Sequence, residues 1–195
     1  MRPLAPEFYA RPVLEVAREL IGCSVCHDRV SGVIVETEAY HDSEPACHAF
    51  VGLTPRTEPL FGEPGRAYVY RSYGIHAMLN AVCEPPGIGA AVLIRALQPC
   101  AGLEQMRARR TGPGGRVPAD GELCSGPGKL TQALAIELSD NRTSLSSGPV
   151  RIHARTAEWR DPAIRTGVRI GISRAVELPW RFWLAENRHV SRPRP

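Results

Sequence analysis

Eighteen glycines and eighteen prolines interrupt these 195 residues, so the chain must be assembled from many short elements. Between the breaks, the apolar period decides what each element is. Pro12, apolar Val13, Leu14, Val16, Ala17, Leu20 and Ile21, and then Gly22 predict an amphipathic helix over 12–21 with correct punctuation at both ends. After Gly22 the period drops to two. Residues 23–27 and 30–38 read as strands, Val33, Val35 and Thr37 alternating with Ile34, Glu36 and Glu38. Polar, Gly/Pro-rich 41–66 predicts a long surface loop, and strand patterns resume at 67–72, 75–83 and 90–97. A short helix is expected over 103–110, a mobile loop over 110–121, a helix over 127–137, and strands near 150–155, 168–172 and 181–184. Strands dominate and helices flank them. The expected fold is α+β, a single domain over 1–195 with a mostly antiparallel sheet.

Hydrophobic residues make up 43% and charged residues 23%, which excludes collagen-like, wholly disordered and coiled-coil chains. No apolar run approaches the roughly 18–20 residues needed to span a bilayer, and residues 1–10 lack the basic and apolar regions of a secretion signal. A soluble, cytoplasmic chain with no membrane partner is expected. Charge is uneven along the chain: residues 1–100 hold 8 Arg against 11 Asp and Glu, residues 101–195 hold 15 Arg and one Lys against 9. The basic second half fits a surface facing a polyanion, or plain solvation. Six cysteines without a secretion signal read as reduced thiols. Cys23-Ser-Val-Cys26-His27 matches a haem-attachment pattern, and Cys47 with His48 would complete a zinc set; small buried thiols are the preferred reading.

Three segments carry chemistry. On a strand, Glu36, Glu38 and Tyr40 share one face, which is either a solvated polar face or a carboxylate pair whose proximity and burial suit general-base work. Tyr68-Val-Tyr70-Arg-Ser-Tyr73-Gly74 precedes a second alternating run, predicting a hairpin with Tyr73 at its tip, either a wedge between bases or an aromatic packed on the core. Ser125-Gly-Pro-Gly-Lys129 opens a helix and suits a phosphate, or is an ordinary cap; it is not a nucleotide P-loop, since Leu130 follows the lysine.

Taken together, Val35-Glu-Thr-Glu-Ala-Tyr40, Ala46-Cys-His48, Thr54-Pro-Arg56, Tyr68-Val-Tyr70 with Tyr73-Gly74 and Asn80, Val92-Leu-Ile-Arg-Ala-Leu97, Leu123-Cys-Ser-Gly-Pro-Gly-Lys-Leu130 and Leu178-Pro-Trp-Arg-Phe182 resemble the alkyladenine (3-methyladenine) DNA glycosylase family. The motifs occur in family order from about residue 10 to residue 192. The resemblance implies a curved sheet with a protruding β-hairpin, and a monofunctional enzyme of base excision repair. That enzyme removes flipped-out alkylated or deaminated purines, such as 3-methyladenine, 7-methylguanine, hypoxanthine and ethenoadenine, with a Glu-activated water. It further implies that Glu38 is the general base and that Arg95 lies near the water and the phosphate. Tyr40, His48, Tyr70 and Leu93 line the base pocket, Asn80 crowds the 2-amino position of guanine, Tyr73 fills the gap in the duplex, and Thr54, Gly128 and Lys129 meet DNA. The implied partner is double-stranded DNA with damaged purines, bound by a monomer needing no metal and no cofactor. Thr57, Cys47 and Ile75 depart from the usual Asn, small residue and Met of the family.

Overall fold

The computed structural model describes residues 2–72 and 74–191. Tyr73, the expected wedge, therefore lies outside the described residues. The helices are α1 (Pro6–Tyr9), α2 (Val13–Leu20), α3 (Leu103–Arg110), α4 (Asp120–Leu123) and α5 (Pro127–Leu134). The strands are β1 (Ser24–His27), β2 (Val30–His41), β3 (Ala67–Ser72), β4 (His76–Val82), β5 (Ala90–Ala101), β6 (Val150–His153), β7 (Ile164–Gly167) and β8 (Arg181–Leu184). They form one sheet in the order β3-β4-β5-β2-β1-β6, and β8 pairs with both β2 and β7. Every strand pairing is antiparallel, as the alternating patterns predict.

The long central pair β2–β5 organises the rest. On one face of β2, Thr37 Oγ1 donates to the Ala17 carbonyl of α2 at 2.8 Å, so the amphipathic helix covers that side. Its apolar stripe, Val13, Val16, Ala17 and Leu20, is buried against the sheet in the main core with Ile34, Ile94, Leu97, Leu130 and Leu134. The other face carries Glu36, Glu38 and Tyr40. Both faces are covered, which makes β2 buried almost continuously where alternation alone suggested one wet face.

Three irregularities interrupt the β2–β5 ladder: one at its end, where Cys100 has no partner on β2, and a pair in its middle of opposite senses. Val35 has no partner on β5, and one step later Arg95 has none on β2, after which the register is restored. Paired bulges twist the strands locally and re-aim the extra side chain. Arg95 is that side chain.

Several boundaries differ from the sequence expectation for identifiable reasons. β2 continues to His41 because Tyr40 and His41 still have partners in Ala91 and Ala90. α5 stops at Leu134, where Ala135 takes the left-handed conformation at φ 57°. The expected strand at 168–172 is not one; the strand is β7, Ile164–Gly167. Beyond Gly167, the Ile170 N–H is given to a side chain, Glu38, and Gly171 turns left-handed at φ 76°, so no ladder can continue. The 41–66 loop contains two short 3-10 turns, His48–Val51 and Glu58–Phe61, and the end of the 110–121 loop starts α4.

The β3–β4 hairpin closes with Ser72 opposite His76, and Gly74 at its turn has φ 71° with open space all around it. Its turn end is tied to α5: Thr131 Oγ1 donates to the Ala77 carbonyl at 2.8 Å, and a Cβ at Gly128 would lie 2.8 Å from Cβ and Cγ of His76. Gly128→Ala is therefore expected to cost roughly 1–3 kcal/mol by forcing α5 off the hairpin. Chemical denaturation should show a lower midpoint with an unchanged slope.

Candidate active site

One rung of the sheet assembles most of the site. Tyr68 of β3 faces Asn80 of β4, Asn80 faces Leu93 of β5, Leu93 faces Glu38 of β2, and Glu38 faces Arg181 of β8. Paired residues share a face, so side chains far apart in sequence stand in a row. Above this row is a cavity of about 530 Å³, lined among others by Tyr40, His48, Tyr70, Asn80, Leu93 and Arg95. The structure thus brings together six of the residues singled out from the sequence.

Glu38 lies one layer below. Neither Glu38 nor Glu36 has any exposed surface, which rules out a solvated polar face. Glu38 Oε2 accepts from the Tyr40 hydroxyl at 2.8 Å and from Arg95 Nη1 at 3.0 Å, while Oε1 accepts from the backbone N–H of Ile170 at 2.7 Å. Tyr40, Arg95 and Ile170 all line the cavity, forming the layer between it and the carboxylate. Burial first, and Glu38 second, push the Tyr40 phenol well up, which keeps it in the protonated form that donates. Burial opposes the charge on Arg95, but Glu38 and Glu36 outweigh it and raise the guanidinium pKa.

Glu36 is occupied differently. Its Oε1 accepts from Arg95 Nε at 3.0 Å, Arg181 Nε at 2.7 Å and the Ser191 hydroxyl at 2.8 Å, and its Oε2 from Ser191 N–H at 2.7 Å. A carboxylate has about four acceptor positions. On Glu36 three donors crowd Oε1 and Oε2 takes only Ser191 N–H, whereas on Glu38 Oε2 holds two donors and Oε1 only the N–H of Ile170, a cavity-lining residue.

The cavity wall is aromatic. His48 and Tyr70 meet edge-to-face at 4.7 Å, and Tyr68 stacks on Tyr70 at 5.4 Å. Burial pushes the Tyr70 phenol up to about 12, so it carries no charge at neutral pH. Behind Tyr40, the Arg169 guanidinium lies 4.7 Å from the ring centre and is held by a bidentate pair to Glu44 at 2.7 and 2.9 Å. Asn80 donates both N–H groups to the Tyr68 and Met78 carbonyls, which leaves its carbonyl oxygen as the free polar atom.

The residues expected to meet DNA are more scattered. Thr54 does not line the cavity; it caps its own loop in reciprocal bonds with Thr57, whose hydroxyl also donates to the Gly52 carbonyl at 2.7 Å. Thr57, in place of the family's Asn, thus closes the loop. At the start of α5, Pro127 lines the main cavity, Gly128 a neighbouring depression with His76, and Lys129 a third one with Asp120 and Arg188. Sequence reasoning gave no role to the segment Ile170–Arg174 or to Arg56, all of which line the cavity. Arg56 stood inside a quoted motif, so the signal was present; the Ile170 segment was hidden by its strand-like alternation. The Cys-x-x-Cys-His motif runs from Cys23 into β1, with His27 Nδ1 bonded to the Leu134 carbonyl at 2.7 Å, while the Cys47 thiol points to the Gly89 carbonyl. Among the described residues no three His, Cys, Asp or Glu side chains form a group that could hold a metal ion. Burial raises the Cys23 thiol to about 11 and the Cys47 and Cys124 thiols to about 12. No helix among the described residues is long and apolar enough to cross a membrane.

The family model for methylpurine-DNA glycosylase (MPG) matches residues 7–188. The chain belongs to this family. Its members are DNA glycosylases, hydrolases of N-glycosyl bonds that act in DNA repair. Among curated relatives, a protein of Bradyrhizobium diazoefficiens is 50% identical, covering 100% of this chain and 93% of its own. One from Rhodopseudomonas palustris is 53% identical, covering 98% of this chain and 91% of its own. One from Agrobacterium fabrum is 47% identical, covering 97% and 93%. All three carry the name "Putative 3-methyladenine DNA glycosylase".

Arg56 Nη2 lies 3.3 Å from His48 Nε2 and can only donate, so Nε2 accepts and the imidazole proton sits on Nδ1, donating to the Tyr68 hydroxyl at 3.2 Å. Burial first, and the Arg56 charge second, hold the His48 pKa below 6.5. Removing the cation favours imidazolium, so Arg56→Ala should raise the His48 titration midpoint in imidazole NMR while leaving it below 6.5, because burial persists.

Proposed function

We propose that this glycosylase hydrolyses the N-glycosidic bond of alkylated or deaminated purines flipped out of duplex DNA into the aromatic cavity, with Glu38 activating the water. One observation carries the reading: of the two buried carboxylates, Glu38 is the one whose hydrogen-bond partners, Tyr40, Arg95 and Ile170, all line the cavity, with its Oε1 taking a single donor beneath it. A water donating to that Oε1 gives its proton to Glu38 as its oxygen attacks C1′ of the sugar. The C1′–N9 bond breaks, its electron pair leaves with the purine, and an abasic sugar remains. The transition state is oxocarbenium-like, so the carboxylate also stabilises the developing positive charge. Because Glu38 has no exposed surface, the water reaches it only as the Tyr40–Ile170 layer shifts with nucleotide entry.

Uncharged π faces explain the lesion class. Purines alkylated at N3 or N7 are cations, and Tyr40, His48 and Tyr70 offer them cation–π contacts worth about 0.5–2 kcal/mol. Deaminated purines stack on the same faces without that increment. The Asn80 carbonyl crowds the 2-amino position of normal guanine, Leu93 fills the floor, Arg95 orients water and phosphate, and Tyr73 fills the gap left in the duplex. Thr54, Gly128 and Lys129 meet the DNA beside the mouth, Thr54 through the loop that it caps. Flipping costs a few kcal/mol, least for weakened pairs.

Glu38→Gln should fold and bind lesion-containing duplex yet lose at least about a hundredfold in single-turnover excision, the scale of a lost general base. Near-normal release of the base by the folded variant would remove Glu38 from that role.

C1′ of the sugar should meet water and not an amine. Lys129 is the only lysine and lines a different depression from the catalytic cavity, so no Schiff base can form at C1′ through it. Borohydride should trap no covalent protein–DNA adduct, and the abasic strand should stay unnicked.

A further inference from the structure

Glu36 is a buried charged group beside Glu38 that the reaction above leaves unused. It stands two residues before Glu38 on the same face, has no exposed surface and does not line the cavity. Three donors crowd its Oε1, and of its partners only Arg95 lines the cavity. What it does hold is Arg95. The guanidinium is fixed at three points: Nε on Glu36 Oε1 at 3.0 Å, Nη1 on Glu38 Oε2 at 3.0 Å and Nη2 on the Ser191 hydroxyl at 3.3 Å. A planar fork held at three corners cannot turn.

We propose that Glu36 is a positioning residue for the reaction, holding the Arg95 fork so that it gives only one N–H to Glu38 and leaves the other carboxylate oxygen open to water. The proposal rests on Glu38 being the base. Freed from Glu36, Arg95 would swing into the two-pronged pairing that arginine prefers with a lone carboxylate, and its second N–H would cover the acceptor position that water needs. The paired bulges at Val35 and Arg95 make the arrangement possible, since they bring an arginine from the neighbouring strand between two carboxylates on one face. Ser191 completes the clamp from the far end of the chain.

Two consequences separate this from a merely structural buried charge. The first is rate: Glu36→Gln places an amide against the Ser191 N–H and Arg181, releases Arg95, and should lower the plateau of single-turnover excision about ten- to a hundredfold, the cost of misplacing a catalytic group. The second is pH. Charged and titratable groups facing Glu38 are Glu36 and Tyr40 on its own strand, Arg95 from β5, Arg181 from β8, Arg169 from the segment after β7 and Tyr70 from β3. Deleting the Glu36 charge removes a like charge and gives Arg95 wholly to Glu38. Both effects favour the ionised base, so the acid limb of the excision rate should move to lower pH by about half a unit or more.

The experiment compares wild type, Glu36→Gln, Glu36→Asp, Ser191→Ala and Glu38→Gln on one single-lesion duplex with the protein in excess, from acid to neutral pH, beside melting curves. The expected result is a reduced plateau and a lowered acid limb for Glu36→Gln. Glu36→Asp keeps the charge, so its acid limb should stay at the wild-type position while its plateau partly recovers, and Ser191→Ala should lose a few-fold in rate with little change in melting. A folded Glu36→Gln protein with the wild-type plateau and acid limb overturns the proposal. Should that variant not fold, a wild-type rate for Ser191→Ala overturns it instead. Excision surviving in Glu38→Gln would mean that the base itself is misassigned, a failure distinct from the others.

Discussion

The buried exchange of charge around β2 is the interaction on which the molecule depends. Glu36, Glu38 and Glu44 face Arg95, Arg181 and Arg169, none of the six more than 6% exposed. Taking six charges out of water is expensive, and hydrophobic residues of similar volume are often more stabilising. Deleting one partner is worse, about 3–5 kcal/mol, because the remaining charge has nothing to answer it. Such a network is poor at adding stability and good at excluding alternatives: each guanidinium has one geometry that satisfies its neighbours. The sheet is long at β2 and β5, and covered on both sides, because a network of this kind needs a dry and rigid frame.

That frame was legible in the sequence to a large extent. The strands at 30–38, 67–72, 75–83, 90–97 and 181–184 and the helices at 12–21, 103–110 and 127–137 follow from alternation, punctuation and period. Where the reading failed, the cause was long-range. Residues 168–172 alternate like a strand, but the Ile170 N–H has a carboxylate partner 132 positions away, which no local pattern records. The ends of β2 and β5 were read short for the same reason, since each is prolonged by pairing with the other.

The site was legible in its residue types and not in its order. Glu36 and Glu38 are two residues apart, so their shared face follows from geometry, but their burial comes from Arg95, 59 and 57 positions on, and from Ser191, 155 positions beyond Glu36. The spacing by itself therefore favoured a solvated face. The rung from Tyr68 to Arg181 depends on register across five strands, which only the assembled sheet supplies. The family resemblance named these residues without saying why they meet. Pairing register is the physical answer.

The arrangement divides the site into two tiers with different tolerances. In the lower tier every polar atom that touches Glu38 is itself held: Tyr40 by its bond to the carboxylate, Arg95 at three corners, and the Ile170 N–H beside Arg169, which Glu44 clamps. On the proposed mechanism, changes there would alter the chemistry for every substrate alike. In the upper tier the walls are neutral rings, with Arg56 on the exposed rim touching His48 and lying 6.0 Å from the centre of Tyr70. On the proposed reading, the Arg56 cation beside neutral π faces would repel a cationic purine and leave a neutral one unaffected, so the rim would tune lesion preference while Glu38 below stays unchanged. Cys47 lines this outer tier and Thr57 closes the loop beside it, so on the proposed reading both positions can change without rebuilding the carboxylate network beneath.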